Sequence, residues 1–423
     1  MGSGSSRPSE GSPPEAMAGL EGVNVKRVAS TAFHGLAVSN LGVVYSFGDG
    51  KSGRLGHGDE EGLMVPRPVA ALQGERVSAI AAGGEHSLVV TTHGQVFSFG
   101  SGSFGQLGHG DLQQHLVAAL AGVRVLAVQA GALHSLALSD HGAVFSWGLG
   151  AQGQLGHDEA GEPEPPKRRR KAPTGAVSRL PSPPSERPRK LTATPTAIQN
   201  LPERGRVTAI AAGGFHSLAM TDRGAVYSFG HGMHGQLGHG DTSDQPTPRL
   251  IDGLPERGRV VAVAAGAHHS LAVSDRGAIY SFGHGGHGQL GHGDRADQLL
   301  PQPVAALEAV RIKAAAGGAD HSLALDNFGV LYSVGLDEPP PPRRAQPTPR
   351  IVEEVRGVRV ADACDSFAAG SFARLAVASG GATFSWGTIK APDDHDSYPA
   401  PVPPRATRSR SIGSRSSPAV LQR

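Results

Sequence analysis

The sequence predicts an all-β, seven-bladed β-propeller built from repeats of about 50 residues. Two recurring phrases and their spacing carry that prediction. The first phrase is AAGGFHSLAM (211–220), with counterparts AAGGEHSLVV (81–90), QAGALHSLAL (129–138), AAGAHHSLAV (264–273) and AGGADHSLAL (316–325). The second is FGHGMHGQLGHGD (229–241), with relatives beginning at Phe47, Phe99, Trp147 and Phe282. Histidines of the first phrase fall at His34, His86, His134, His216, His269 and His321, with Ala373 in the seventh slot; successive steps are 52, 48, 82, 53, 52 and 52 residues. One step is longer by about 30, so there are seven units and one insertion, between Asp158 and Leu191. Periods of this length mark repeat architectures and take precedence over local motifs.

Each unit reads as short strands. In the fourth, RVTAIAA and HSLAMT are apolar runs and GAVYSFG alternates, with Asp222-Arg223-Gly224 as the hairpin signal between the last two. A further short strand is expected after the glycine loop, near Pro246 to Leu250. Nothing has a sustained 3.6-residue period. Strands of this length that are apolar at nearly every position suit blades packed on both faces, and radial closure protects their edges. The sixth unit departs after YSVG (332–335), where a Pro-rich stretch replaces the glycine loop. The seventh stops at FSWG (384–387), and YPAPVPPR (398–405) is the candidate outer strand that closes the ring. The predicted organisation is a disordered N-terminal tail (1–25), units one to three (26–158), the insertion (159–190), units four to seven (191–390) and an Arg/Ser/Pro-rich tail (391–423).

The repeat also disposes of two nucleotide readings. Gly230, Gly232 and Gly235 fit G-x-G-x-x-G, but the spacing recurs in five units and never opens a helix, as a dinucleotide site requires. Gly50-Lys51-Ser52 resembles the end of a P-loop, yet Tyr45 stands where the first glycine must be. These are structural turns, with the leucines Leu107, Leu155, Leu237 and Leu290 as core.

Composition narrows the class. Hydrophobic residues make up 38% of the chain beside 60 Gly and 32 Pro, so turns are abundant without the chain being too polar to fold. The single cysteine, Cys364, excludes an internal disulfide and a cysteine-based zinc cage, and points to a reducing compartment. No apolar run approaches the ~20 residues of a membrane helix, so no membrane partner is expected. Met1-Gly2 with Ser6 fits the myristoylation pattern, although a disordered tail accounts for the same residues.

Charge is concentrated outside the blades. Residues 159–190 hold nine bases and four acids, including the run Lys167-Arg168-Arg169-Arg170-Lys171. In a Pro-rich, apolar-poor segment such a run reads as a nuclear localisation signal or a nucleic-acid patch. Nucleus and/or cytoplasm is the expected location.

The phrase histidines are expected to be structural, each bonding backbone in its own blade, because six copies of one residue are not a catalytic site. His231 and His234 in unit four recur as His284 and His287 in unit five. Duplication of one unit and a solvated or partner-facing histidine edge account for them; they are also the candidate metal ligands, lacking the third or fourth converging group that zinc needs. No catalytic residue and no cofactor are expected.

Repeats of the form AAGxxHSLA…GxVYSFGxGxxGQLGHGD resemble those of the regulator of chromosome condensation family, over roughly residues 24–390 apart from the insertion. The resemblance implies a seven-bladed propeller. It also implies one of several jobs that the family performs: guanine-nucleotide exchange on the small GTPase Ran with docking on nucleosomes, regulation of other GTPases, service as a ubiquitin-ligase or kinase module, or UV-B sensing. The Ran-type exchange factor and the non-catalytic scaffold or adaptor are the two leading expectations. UV-B reception is disfavoured, because the tryptophan positions of the Gly-Trp-Arg-His phrase hold residues such as Gly214 and Ala267. Residues 1–25 carry one Arg and three Glu, so a basic chromatin-binding N-tail is lacking; only the insertion and Arg405, Arg408, Arg410 and Arg415 could contact chromatin or nucleic acid. A fluorescent fusion of the chain is expected to accumulate in the nucleus and to lose that enrichment when Lys167 to Lys171 become Ala; an unchanged distribution would leave the run as solvated charge.

Overall fold

A computed structural model describes residues 17–109, 117–157, 191–199, 201, 205–254, 258–336, 345–353, 357–365 and 374–386. Among them, strands dominate and the helical pieces are single 3-10 turns such as Ala70–Leu72. No helix among the described residues is long and apolar enough to cross a membrane.

Four antiparallel strands in chain order make a blade. Blade four consists of Val207–Ala212, His216–Thr221, Val226–Gly230 and Gln245–Leu250. Its second strand is buried at every position, as a strand packed on both faces must be. The fourth is partly exposed and tolerates Pro246 and Pro248, because an edge strand need not donate every N–H.

Among the described residues, six sheets are complete four-stranded blades. The expectation of seven blades is corrected to six. The seventh unit forms a three-stranded sheet of Val360–Asp365, Arg374–Ala378 and Thr383–Trp386. No fourth strand pairs with it among the described residues, and the candidate outer strand 398–405 lies outside them. This sheet still meets the first blade. Val25 donates its N–H to the Gly381 carbonyl (3.0 Å), and Val377 packs with Leu20, Val25, Val28, Ala37 and Phe47.

The insertion interrupts a blade. Leu191–Ala197 pairs with Val144–Leu149 as the outermost strand of blade three, with Phe145 opposite Ala197. Residues 158–190 therefore connect the third and fourth strands of that blade, although they themselves lie outside the described residues.

Hydrophobic cores sit at the junctions between sheets. At the first, Leu36, Val38, Val44 and Val69 of blade one meet Val77, Val89 and Phe99 of blade two. Phe99, Trp147, Phe229 and Phe282 occupy equivalent places at successive junctions. Each large side chain buried this way contributes about 1.5–3 kcal/mol. Gly238 shows why the loop phrase needs glycine: its φ is +74°, and a Cβ would meet the Phe282 ring at 2.9 Å. First strands line the axis with small side chains (Ala82, Ala130, Ala212, Ala265 and Ala316 among them) around a cavity of about 230 Å³.

The sequence suggests that the phrase histidines bond backbone within their own blade; five of them instead bond a serine of the next. They reach the next blade. His34, His86, His134, His216 and His269 place Nε2 at 2.8–3.0 Å from the Oγ of Ser87, Ser135, Ser217, Ser270 and Ser322. Each of those hydroxyls donates to a backbone carbonyl of the preceding unit's glycine loop: Arg54, Gln106, Gln154, Gln236 and Gln289, at 2.7–2.9 Å. Since the serine proton is used there, the imidazole must donate from Nε2. In blades two to five Nδ1 lies against a glycine and takes no hydrogen bond; a Cβ on Gly131 would stand 2.3 Å from His134 Nδ1. In blade one Thr31 replaces that glycine, with its hydroxyl 3.3 Å from His34 Nδ1.

Burial pushes these imidazoles down, His86, His134 and His269 to about 3 from 6.5. The native state therefore holds them neutral while the unfolded chain takes up protons below pH 6.5. Stability contributed by the neutral form is complete above 6.5 and is lost as pH falls toward 3, by about 2 kcal/mol per imidazole between pH 7 and 5. Thermal melts are expected to drop steeply over that interval. His134→Gln should lose about 1–3 kcal/mol at pH 7.5 through its broken relay and show a shallower pH slope, one proton fewer; an unchanged slope would remove the imidazole from the account. Limited proteolysis is expected to cut first within 160–189 and leave two fragments associated, because Leu191–Ala197 anchors the second to blade three. Separation of the fragments would contradict that pairing.

Candidate functional site

Strand register decides which loops share a face. His216 pairs with Gly230, so in blade four the turn before His216 and the glycine loop after Gly230 emerge on the same side. Blade five repeats this with His269 opposite Gly283. The loops are shaped by their own side chains: Gln236 accepts the His234 N–H at Oε1 (2.9 Å), and Asp244 accepts the Gly232 N–H (2.9 Å). In blade five the same two bonds join Gln289 to His287 and Asp297 to Gly285.

A serine beside a histidine invites a catalytic reading, and the face contains five such pairs: Ser46, Ser98, Ser146, Ser228 and Ser281 with His57, His109, His157, His239 and His292, at 2.8–2.9 Å. Each hydroxyl donates to a leucine carbonyl nine residues on, at 2.6–2.7 Å. The imidazole is then the donor, the reverse of what a general base requires. Burial lowers His239 to about 4. These pairs fasten the LGHG turn.

Blade one departs from the others. Arg54 occupies the Gln slot, 5% exposed, with Asp49 at 6%. Its Nη1 is 3.8 Å from Asp49 Oδ2, its Nε donates to the Lys51 carbonyl (2.8 Å), and its guanidinium lies 5.3 Å from the Phe33 ring centre. The first-unit loop singled out in the sequence thus spends its charge internally.

Across blades four and five the same face carries clustered histidines, bordered by Asp320 of blade six. His234 and His284, one from each of two adjacent units, have ring centres 4.6 Å apart. His268 lies 5.5 Å from His234 and 6.5 Å from His284, and His287 is 5.8 Å from His284. His234 Nδ1 is 3.2 Å from Asp297 Oδ2, and His287 Nε2 is 3.8 Å from Asp320 Oδ1. His231 stands apart, its Nδ1 bonded by Gln236 Nε2 (3.2 Å). Burial, followed by the neighbouring His234, holds His284 below its ordinary value; His268 is pushed to about 3 by burial and by His234, His231 and His284.

Of the four candidate metal ligands, His234 and His284 converge, His287 borders them and His231 does not. Sequence reasoning missed His268, Asp297 and Asp320. Asp297 was findable, since it repeats the slot of Asp244. Among the described residues, one group has metal-holding geometry: His234, His284 and Asp297, with ligand atoms within 4.8 Å of one another. Lys167 to Lys171, and residues 338–344 of the sixth-unit loop, lie outside the described residues.

The regulator of chromosome condensation (RCC1) repeat matches residues 42–90, 93–138, 141–220, 223–273 and 276–325. The chain belongs to this family. Each match is staggered against the blades: residues 42–90 take the outer strands of blade one (Val44–Gly48, Leu63–Pro68) and the inner strands of blade two (Val77–Ala82, His86–Thr91). Among curated proteins, the chain is 32% identical to the Ultraviolet-B receptor UVR8 of Arabidopsis thaliana over 326 residues, 77% of this chain and 56% of that one. It is 36% identical to the E3 ubiquitin-protein ligase HERC2 of Homo sapiens over 315 residues, 74% of this chain and 6% of that one. It therefore spans just over half of the first and a small part of the second. Among solved structures, Prp20p of Saccharomyces cerevisiae superposes with a TM-score of 0.64 at 23% identity, covering 81% of this chain and 80% of that one, which shows a shared RCC1-type fold.

Proposed function

We propose that this propeller is a protein-interaction module that regulates a Ran-type small GTPase, acting as a guanine-nucleotide exchange factor. What supports the reading is family membership together with the fold shared with Prp20p, a protein described by its binding to Gsp1p and histones. Exchange requires little covalent chemistry: a surface that binds the nucleotide-free GTPase better than the loaded one accelerates release by differential affinity. A rigid disc with exposed loops on its rim meets that requirement without a catalytic group or cofactor. The discriminating contacts belong to loops that differ between units, because identical turns give a ring no unique docking site. The insertion after Asp158 and the sixth-unit loop at 338–346 are such segments.

A second reading has its own observation. HERC2 matches over 315 residues that make up 6% of its length, so a ring like this one forms a small part of a much larger ligase. On that reading the chain is a scaffold or adaptor that supplies binding alone, associated with a ubiquitin ligase or with chromatin. The basic insertion would serve nuclear localisation or nucleic-acid contact in either case.

Release of fluorescent GDP from Ran, with and without the protein, separates the two. Acceleration well above the intrinsic rate is expected, and alanine substitution of Glu338 and Asp337 should reduce it. No acceleration, with no GTPase recovered in a pulldown, would hand the assignment to the scaffold.

A further inference from the structure

We propose that His234, His284 and Asp297 form a divalent transition-metal site, of zinc type, that bridges blades four and five. The proposal is independent of which protein the propeller binds. His234 comes from the glycine loop of blade four, while His284 and Asp297 come from that of blade five. Their ligand atoms already lie within 4.8 Å of one another. The 3.2 Å between His234 Nδ1 and Asp297 Oδ2 suits two ligands on one tetrahedral centre, where metal–ligand distances of about 2.0–2.2 Å place neighbouring donors a little over 3 Å apart.

Supporting bonds fix these side chains, and a metal would replace the contact that His234 Nδ1 already makes with Asp297 Oδ2. Asp297 Oδ1 accepts the Gly285 N–H (2.8 Å), which aims the carboxylate and leaves Oδ2 for His234. The backbone of His234 is held by Gln236, and that of His284 donates to the His268 carbonyl (2.9 Å). Gln289 Nε2 donates to His284 Nδ1 (3.0 Å), so coordination through Nε2 shifts the ring proton to Nδ1 and breaks that bond. That cost limits affinity without blocking the site.

His268 borders this group without entering it, since the ligand atoms within 4.8 Å of one another are those of His234, His284 and Asp297. His268 Nδ1 is buried and takes no hydrogen bond, and its ring is 5.5 Å from that of His234. Two imidazoles with one carboxylate select zinc and its transition-metal neighbours over magnesium and calcium, which prefer all-oxygen sites.

Untagged, EDTA-treated full-length protein should bind one equivalent of Zn²⁺ by calorimetry at pH 7.5 and melt at a higher temperature with Zn²⁺ present. Mg²⁺ should do neither. His234→Ala and His284→Ala should each weaken binding about tenfold or more. Asp297→Asn keeps an acceptor for Gly285 and should weaken it as well, so loss of the loop fold is not the cause. His141→Ala, which alters a side chain 90% exposed on blade three, should leave affinity unchanged. Absence of one-site binding, or equal affinity in the wild type and the three site variants, would overturn the proposal.

Discussion

The structure depends on one interblade relay. A neutral imidazole donates from one blade to a serine of the next, and that serine donates back to the glycine loop of the first. Two points of one blade are thereby tied to a single atom of its neighbour, which fixes both the spacing and the rotation between them. The relay is not the main source of stability. A net hydrogen bond contributes about 1 kcal/mol, whereas a junction with several buried Leu, Val and Phe side chains contributes several times that. Apolar packing tolerates small rotations of one sheet on another; a hydroxyl that must accept at 2.8 Å and donate at 2.8 Å does not. Specificity comes from the polar relay, and most of the free energy from the cores it aligns.

The same relay explains residues that look unrelated in sequence. Glycine three places before the histidine leaves room for the ring in blades two to five, as at Gly131 and Gly213. The second-strand serine is invariant from blade two to blade six because it must accept and donate at once. In blade one its place is taken by Gly35, against the Phe47 ring, at the junction with the three-stranded sheet. The staggered repeat matches follow: outer strands of one blade and inner strands of the next are the two halves that the relay joins.

Much of the fold was legible because a repeat displays its period whatever its partners are. The strands, the hairpin turns and the structural nature of the glycine loops all follow from recurrence and alternation. What periodicity conceals is the copy a residue touches. His86 and Ser135 are 49 residues apart, almost one unit, so sequence alone could not tell an intrablade bond from an interblade one. The insertion was found by its length and composition, yet its place inside blade three depended on the pairing of Leu191–Ala197, an edge strand with little apolar signal. Blade count failed for a related reason. The seventh unit contributes three paired strands among the described residues, and its candidate outer strand at 398–405 lies outside them. In the candidate site the duplicated histidines were visible, but Asp297 and His268 acquire meaning only when adjacent loops are brought onto one face.

Repetition also limits where function can reside. The relay and the Ser–His turns impose nearly the same loop on five units, so a partner that binds in one orientation must read the departures. Arg54 with Asp49 is one departure, but both are about 95% buried and satisfied by each other and by backbone, so they present little to a partner. The histidine face is different in kind. There the variable positions of the loop, His231, His234, His284 and His287, are partly exposed, and His234 and His284 stand against each other across a junction. A sequence change that is silent in one blade becomes a cluster of donors when two neighbours carry it, because the relay holds both loops on the same side and in the same pose. The rigidity that makes the turns alike is therefore also what lets a repeated histidine create a site that no single unit contains.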